Sequence, residues 1–184
     1  MKLNPKKCSF GVEEGRFSGH LITKQGIKAD PSKVKAISNL QPPKSVSEIQ
    51  SLGKKLEVIN HFLSKGADKM LPFMQTLKNC KSGKMVQWTT EADEAFRRMK
   101  ELLEALPIVT APVNGKTLIV YLAASKECIS AVLMAERGKK QVPIYFICQT
   151  LHWAELEYPE LEKLILALVY AARKLRRYFQ AYLI

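Results

Sequence analysis

The chain has 184 residues, 47% of them hydrophobic and 25% charged, with a net charge of +12. That balance excludes collagen-like, wholly disordered and disulfide-scaffold classes, and the length allows one or two domains with modest cores. No apolar run approaches the ~18 residues needed to cross a bilayer, and Met1-Lys2-Leu3-Asn4-Pro5 has no signal-peptide core, so a soluble, intracellular protein of cytoplasm or nucleus without a membrane partner is expected. Cys8, Cys80, Cys128 and Cys148 are far apart and form no C-x-x-C pair, which predicts buried thiols rather than a zinc site or disulfide framework. The charge is uneven: residues 1–90 hold 16 basic and 6 acidic side chains, residues 91–184 hold 13 and 11. A basic half attracts polyanions, of which a nucleic-acid backbone is the commonest, although exposed lysines also serve solubility.

In chain order, Cys8-Ser9-Phe10-Gly11-Val12 and Arg16 to Thr23 read as a hairpin turning at Glu13-Glu14-Gly15, closed by Gln25-Gly26. Asp30-Pro31 starts a short helix with Val34, Ile37 and Leu40 on its apolar side, and Pro42-Pro43 stops it. Ser45-Val46-Ser47-Glu48 has the spacing of a reciprocal capping box and opens a helix that buries Ile49, Leu52, Leu56, Ile59 and Leu63. A third helix is expected from Asp68 to Leu77, then a polar loop over 78–84. Val86-Gln87-Trp88 leads extended into a helix capped by Thr89 or Thr90, with Ala95, Phe96, Met99, Leu102, Leu103 and Leu106 inward.

Beyond Pro107 the period changes. Thr117–Leu122, Ser130–Met134 and Val142–Ile147 read as an antiparallel meander, because the polar connections between them are short. A long helix follows Tyr158-Pro159, with Leu161, Leu164, Ile165, Leu168, Ala172 and Leu175 as its expected inner stripe.

Lys7-Cys8-Ser9-Phe10, Phe17-Ser18-Gly19-His20-Leu21-Ile22 and Gly26-Ile27-Lys28-Ala29-Asp30-Pro31 together resemble the end of the reverse-transcriptase palm in gypsy-class LTR retrotransposons. Ser51-Leu52-Gly53, Asn60-His61-Phe62, Trp88-Thr89, Pro143-Ile144-Tyr145-Phe146 and Glu162-Lys163 carry the resemblance along essentially the whole chain. The Leu175-Arg176-Arg177-Tyr178-Phe179-Gln180 ending is most similar to plant elements. The resemblance implies a piece of a Pol polyprotein of α+β class. Residues 1–30 would end the palm, 31–106 would form a helical thumb and connection, and 107–184 a truncated ribonuclease H-like unit of three antiparallel strands plus one long helix.

In this family the hairpin holds the primer end, which implies nucleic-acid contacts for Phe17, Gly19 and His20. On spacing alone Gly19 and His20 are an ordinary hairpin glycine and a solvent-facing imidazole. Lys33, Lys35, Lys44, Lys54 and Lys55 are the expected phosphate contacts, with solubility as their ordinary role. The partners expected are an RNA–DNA hybrid or duplex DNA, the rest of the Pol polyprotein, and further copies of the chain.

No catalytic residue, cofactor or metal ligand is expected in this chain. Active family members hold Mg²⁺ through carboxylates, since a hard cation needs oxygen ligands. The polymerase carboxylates of the family precede the hairpin. In the ribonuclease H pattern, Ala123 stands where the first-strand Asp belongs and Leu164 where the helix Glu belongs. Glu162 lies two residues away, about 200° around the helix. Polymerase or ribonuclease H activity within a full polyprotein, and a non-binding, self-associating remnant, are the alternatives.

Overall fold

The structure is a computed structural model that describes Cys8 and residues 11–17, 19–63, 66–79 and 88–184. Two three-stranded antiparallel sheets flank a set of helices. The first sheet runs β1 (Glu14–Phe17), β2 (His20–Thr23) and β3 (Gly26–Ala29) in order. Its turns differ from the sequence expectation. Gly15 lies within β1 opposite Ile22, and the chain reverses at Gly19, whose φ of +80° suits a residue without a Cβ. The second reversal, at Lys24-Gln25, is held by Thr23, whose Oγ1 donates to the Gly26 carbonyl and accepts from the Gln25 N–H. Residues 26–29 therefore add a third strand where only the end of a hairpin was expected. The expected strand residues Ser9 and Phe10 lie outside the described residues.

Asp30 then caps α1 (Pro31–Ser38), accepting from the Ser32 N–H at 2.9 Å and the Ser32 hydroxyl at 2.8 Å. These donors, with the Arg16 and Lys33 charges, hold the Asp30 carboxyl below the usual carboxylate range. Ser45 caps α2 (Val46–Ile59) through the Glu48 N–H, while the Glu48 carboxylate reaches one residue further back than a reciprocal box requires, to the Lys44 N–H at 2.7 Å. Ile49, Leu52, Leu56, Ile59 and Leu63 are all buried. A 3₁₀ turn, Asn60–Phe62, leads towards α3 (Gly66–Asn79), and Thr89 caps α4 (Thr90–Glu104). The polar loop after α3 and the Val86-Gln87 approach to α4 lie outside the described residues, apart from Lys78 and Asn79, which belong to α3. Trp88 stacks on Phe73 at 5.9 Å and sits edge-on to Phe96, closing this core. Leu102, expected inside, is exposed; Ala92 takes the inner position instead.

The second sheet comprises β4 (Leu118–Ala124), β5 (Cys128–Arg137) and β6 (Lys140–Thr150). Pro143 is tolerated in β6 because it lies on an outer strand, where the register slips between Leu133 and Met134. Its carbonyl accepts from Thr110 N at 3.0 Å. After a 3₁₀ turn, Trp153–Glu157, the expected single helix is two: α5 (Glu160–Lys174) and α6 (Arg176–Ala181), broken at Leu175. Its inner stripe also differs. Lys163, Ala167, Ala171 and Leu175 face inward, while Leu161, Ile165 and Leu168 are exposed. Small side chains let the helix backbone approach the sheet, which bulky leucines would hold away.

One strap ties the sheets together. Ile27 and Val109 exchange backbone hydrogen bonds of 2.7 and 3.0 Å, and the next residue, Thr110, bonds to β6. Gly26 permits this approach: its φ is +140°, and a Cβ there would collide with the Val109 carbonyl oxygen. Gly53, inside α2, would present a Cβ to open space. Gly26→Ala is expected to destabilise the fold by about 1–3 kcal/mol. Gly53→Ala is expected to stabilise it by up to ~1 kcal/mol, both read as shifts of the denaturation midpoint.

Candidate nucleic-acid interface

The structure places the expected contact residues on three surfaces. Phe17, at the end of β1, is 71% exposed and free to stack on a planar partner. Gly19 packs its turn against α2, where a Cβ would lie 3.0 Å from Val58 Cγ1. The His20 ring turns inward rather than to solvent, lying 5.4 Å from the Phe62 ring and 6.1 Å from that of His61.

Lys33 and Lys35 stand exposed on α1, separated by about 200° of helix rotation. Lys44 and half-buried Lys55 meet across a groove of about 400 Å³, with Ser51, Gln41 and Glu48 in its wall. Lys54 faces a different, larger groove of about 1170 Å³ that Met70, Met74 and Trp153 also line. The fold thus brings Lys44 and Lys55 together and separates Lys54 from them. The ion pairs among the described residues involve none of the five lysines.

Three features were not legible in the sequence. First, His20 and His61 join Tyr145 of β6, whose ring is 5.4 Å from His61, in a cleft of about 600 Å³ that Arg137 and Thr110 also line. Partial withdrawal from water, with the nearby His20 and Lys174 charges, holds the His61 pKa below its ordinary value. Second, Trp153 is 90% exposed and adopts φ +53°, a conformation uncommon for a bulky side chain. Third, Lys163 is buried, and its ammonium donates to the Lys126 and Leu156 carbonyls at 3.0 and 2.8 Å. Its four-residue spacing from Ala167 and Ala171 was the available signal, masked by the leucines between them.

At the positions of the family's ribonuclease H ligands, Ala123 lies opposite Ser130 and Leu164 on α5 is half-buried. Both carry hydrocarbon. Nearby, Lys163 lines a cleft with Ala124, Ser125 and Glu160, and its positive charge there opposes a divalent cation. Among the described residues no group of three or more His, Cys, Asp or Glu side chains could hold a metal ion. This donor set does not fit Mg²⁺. No helix among the described residues is long and apolar enough to cross a membrane.

A sheet–helix–sheet chain of this shape is shared with foamy viral protease-reverse transcriptase, solved in complex with an RNA/DNA hybrid: the TM-score is 0.75 at 22% identity, over 92% of this chain and 23% of that one. The fold is therefore of the reverse-transcriptase class. Residues 88–184 match the RNase H-like domain found in reverse transcriptase, and the chain belongs to that family. The retrovirus-related Pol polyprotein from transposon 297 of Drosophila melanogaster is 35% identical over 178 residues, 97% of this chain and 16% of the relative. That from transposon gypsy of the same organism is 28% identical over 188 residues, 97% of this chain and 18% of the relative. The chain spans less than a fifth of either polyprotein.

The His20–His61 contact has a titration signature. Because the folded pKa of His61 is lowered, its neutral form is preferred; the corresponding stability is present above the unfolded pKa and is lost as pH falls through the folded value. An NMR titration is expected to show the His61 midpoint below that of a free imidazole, and His20→Ala is expected to move it upward.

Proposed function

We propose that this reverse transcriptase/RNase H-like segment is a nucleic-acid-binding module of a Pol polyprotein, and that its second sheet is a structural connection without metal-dependent cleavage. The observation that carries the binding half is the surplus of positive charge on and beside α1 and α2. Residues 1–90 hold a surplus of ten basic over acidic side chains, and none of the five lysines on or beside these helices is neutralised by an ion pair among the described residues. Such cations neutralise phosphates and release condensed counterions, which fixes position on a duplex without reading sequence. Phe17 adds an exposed ring beside the turn. The RNA/DNA hybrid in the similar foamy viral structure supports a hybrid as the partner. Hydrocarbon at Ala123 and Leu164, with the resident Lys163 ammonium, supports the absence of metal chemistry.

The test is binding of the full chain to an RNA–DNA hybrid across a salt series. Log affinity is expected to fall linearly with log salt, and replacing Lys44 or Lys55 by Ala to weaken binding regardless of sequence and reduce the slope by about 1 each. Binding absent at about 50 mM salt, or indifferent to salt, overturns the reading. Chelator-sensitive cleavage of the hybrid by the chain alone overturns its second half.

A further inference from the structure

Both walls of the cleft between the two sheets come from the described chain. β2 and the Lys24-Gln25 reversal form one, β6 and the end of β5 the other, and the Ile27–Val109 strap joins them. Its volume of about 600 Å³ lies in the range of small-molecule sites. Ile22, Ile27 and Ile144 line it together with the Tyr145 and Tyr178 rings.

The charged side chains that line it are of one sign. His20, His61, Lys24 and Arg137 are among them and, within the described residues, no Asp or Glu is. Lys24 is already paired with Glu13 at 3.0 Å. The ion pairs among the described residues do not involve Arg137. One of its five N–H donors meets the carbonyl of Ala111, itself a lining residue, at 2.9 Å, which sets the guanidinium at the cleft wall. The imidazoles are packed in place: His20 lies 5.4 Å from the Phe62 ring and His61 5.4 Å from that of Tyr145, with 6.1 Å between the two imidazoles.

A guanidinium and two imidazoles lining one space favour an anion, and the guanidinium fork matches the oxygens of a phosphate. The aromatic rings beside them favour a planar partner. We propose that this cleft binds a phosphate monoester carried on a planar ring, with the phosphate held by Arg137, His20 and His61 and the ring against Tyr145 and Tyr178. A free nucleotide and the unstacked 5′ end of a strand share this chemistry. The cleft has no lining residue in common with the Lys44–Lys55 groove, and the inference does not rest on binding there.

Occupation carries an electrostatic signature. Partial withdrawal from water, with the His20 and Lys174 charges, disfavours the charged His61 imidazole. His20, Lys24, Arg137, Tyr145 and Tyr178 share the cleft with His61, Lys174 of α5 acts on it, and none of these is a carboxylate. A phosphate set among them reverses the balance, so His61 takes up a proton on binding.

Calorimetry and NMR on the full chain, with AMP, inorganic phosphate, adenosine and a 5′-phosphorylated tetranucleotide as probes, test the proposal. AMP is expected to bind about tenfold tighter than inorganic phosphate or adenosine, since each of those supplies only part of the contacts. Saturating AMP is expected to raise the His61 midpoint and to leave unmoved that of His152, which lies outside the cleft. Arg137→Ala, at an exposed position, is expected to weaken binding roughly tenfold, whereas Arg98→Ala, at an exposed cation of α4 outside the cleft, leaves it unchanged. The same responses to the tetranucleotide but not to AMP assign the cleft to the end of a strand rather than to a free nucleotide. The proposal is overturned if neither probe binds or if binding is no tighter than that of inorganic phosphate. Binding indifferent to Arg137→Ala, or a shift shared equally by His152, also overturns it.

Discussion

The fold turns on the approach of β3 to the strap at Val109. Two backbone hydrogen bonds join Ile27 to Val109, and the adjacent Thr110 bonds to Pro143, so one extended segment pairs with both sheets in succession. Each such bond contributes only about 1 kcal/mol net, yet they fix geometry that apolar burial alone would leave loose. Gly26 admits the contact, and Pro143, at a register shift on an outer strand, offers the carbonyl that Thr110 binds. Ala29, Val109 and the side chains of α1, α2 and α4 then close a single core beneath the first sheet, with Phe146 of β6 packed against it.

That closure positions the candidate surface. The Gly19 turn seats against Val58 of α2, which places the turn beside the lysine-bearing helix. Phe17 is left exposed while His20 is drawn inward against Phe62 and His61. The hairpin is thus divided: an exposed ring on one side, and on the other an imidazole committed to the junction between sheets. The second sheet supports this junction through Tyr145, beside His61. Beside the sheet, the buried Lys163 ammonium of α5 donates to the Lys126 and Leu156 carbonyls and so ties the helix to the β4–β5 turn and the 3₁₀ turn.

Local chemistry was legible in the sequence. Asp30 and Ser45 cap the helices they open, and the α2 stripe from Ile49 to Leu63 is buried, because capping and helical period act within one or two turns. Choices between equivalent local signals were not. Gly15 and Gly19 both suggest a reversal, and only pairing of β1 with β2 selects Gly19. α5 is apolar on two faces, and close approach to the sheet selects the one with Ala167 and Ala171 over the one with more hydrocarbon. The His20–His61–Tyr145 cluster joins three distant segments, so no spacing in the chain could announce it. The five lysines were visible as charge, but their division among α1, the Lys44–Lys55 groove and the Lys54 groove depends on helix rotation and packing.

The central claim is that a clamped first sheet and its basic helices form the nucleic-acid face, while the second sheet is scaffold. Amide hydrogen exchange on the full chain, with and without a bound RNA–DNA hybrid, tests this most directly. The account predicts slowed exchange at residues 19–23 and 31–56, with β4 and the start of α5 unchanged. Protection centred on β4 and the start of α5, with the first sheet and α1–α2 unaltered, would contradict it.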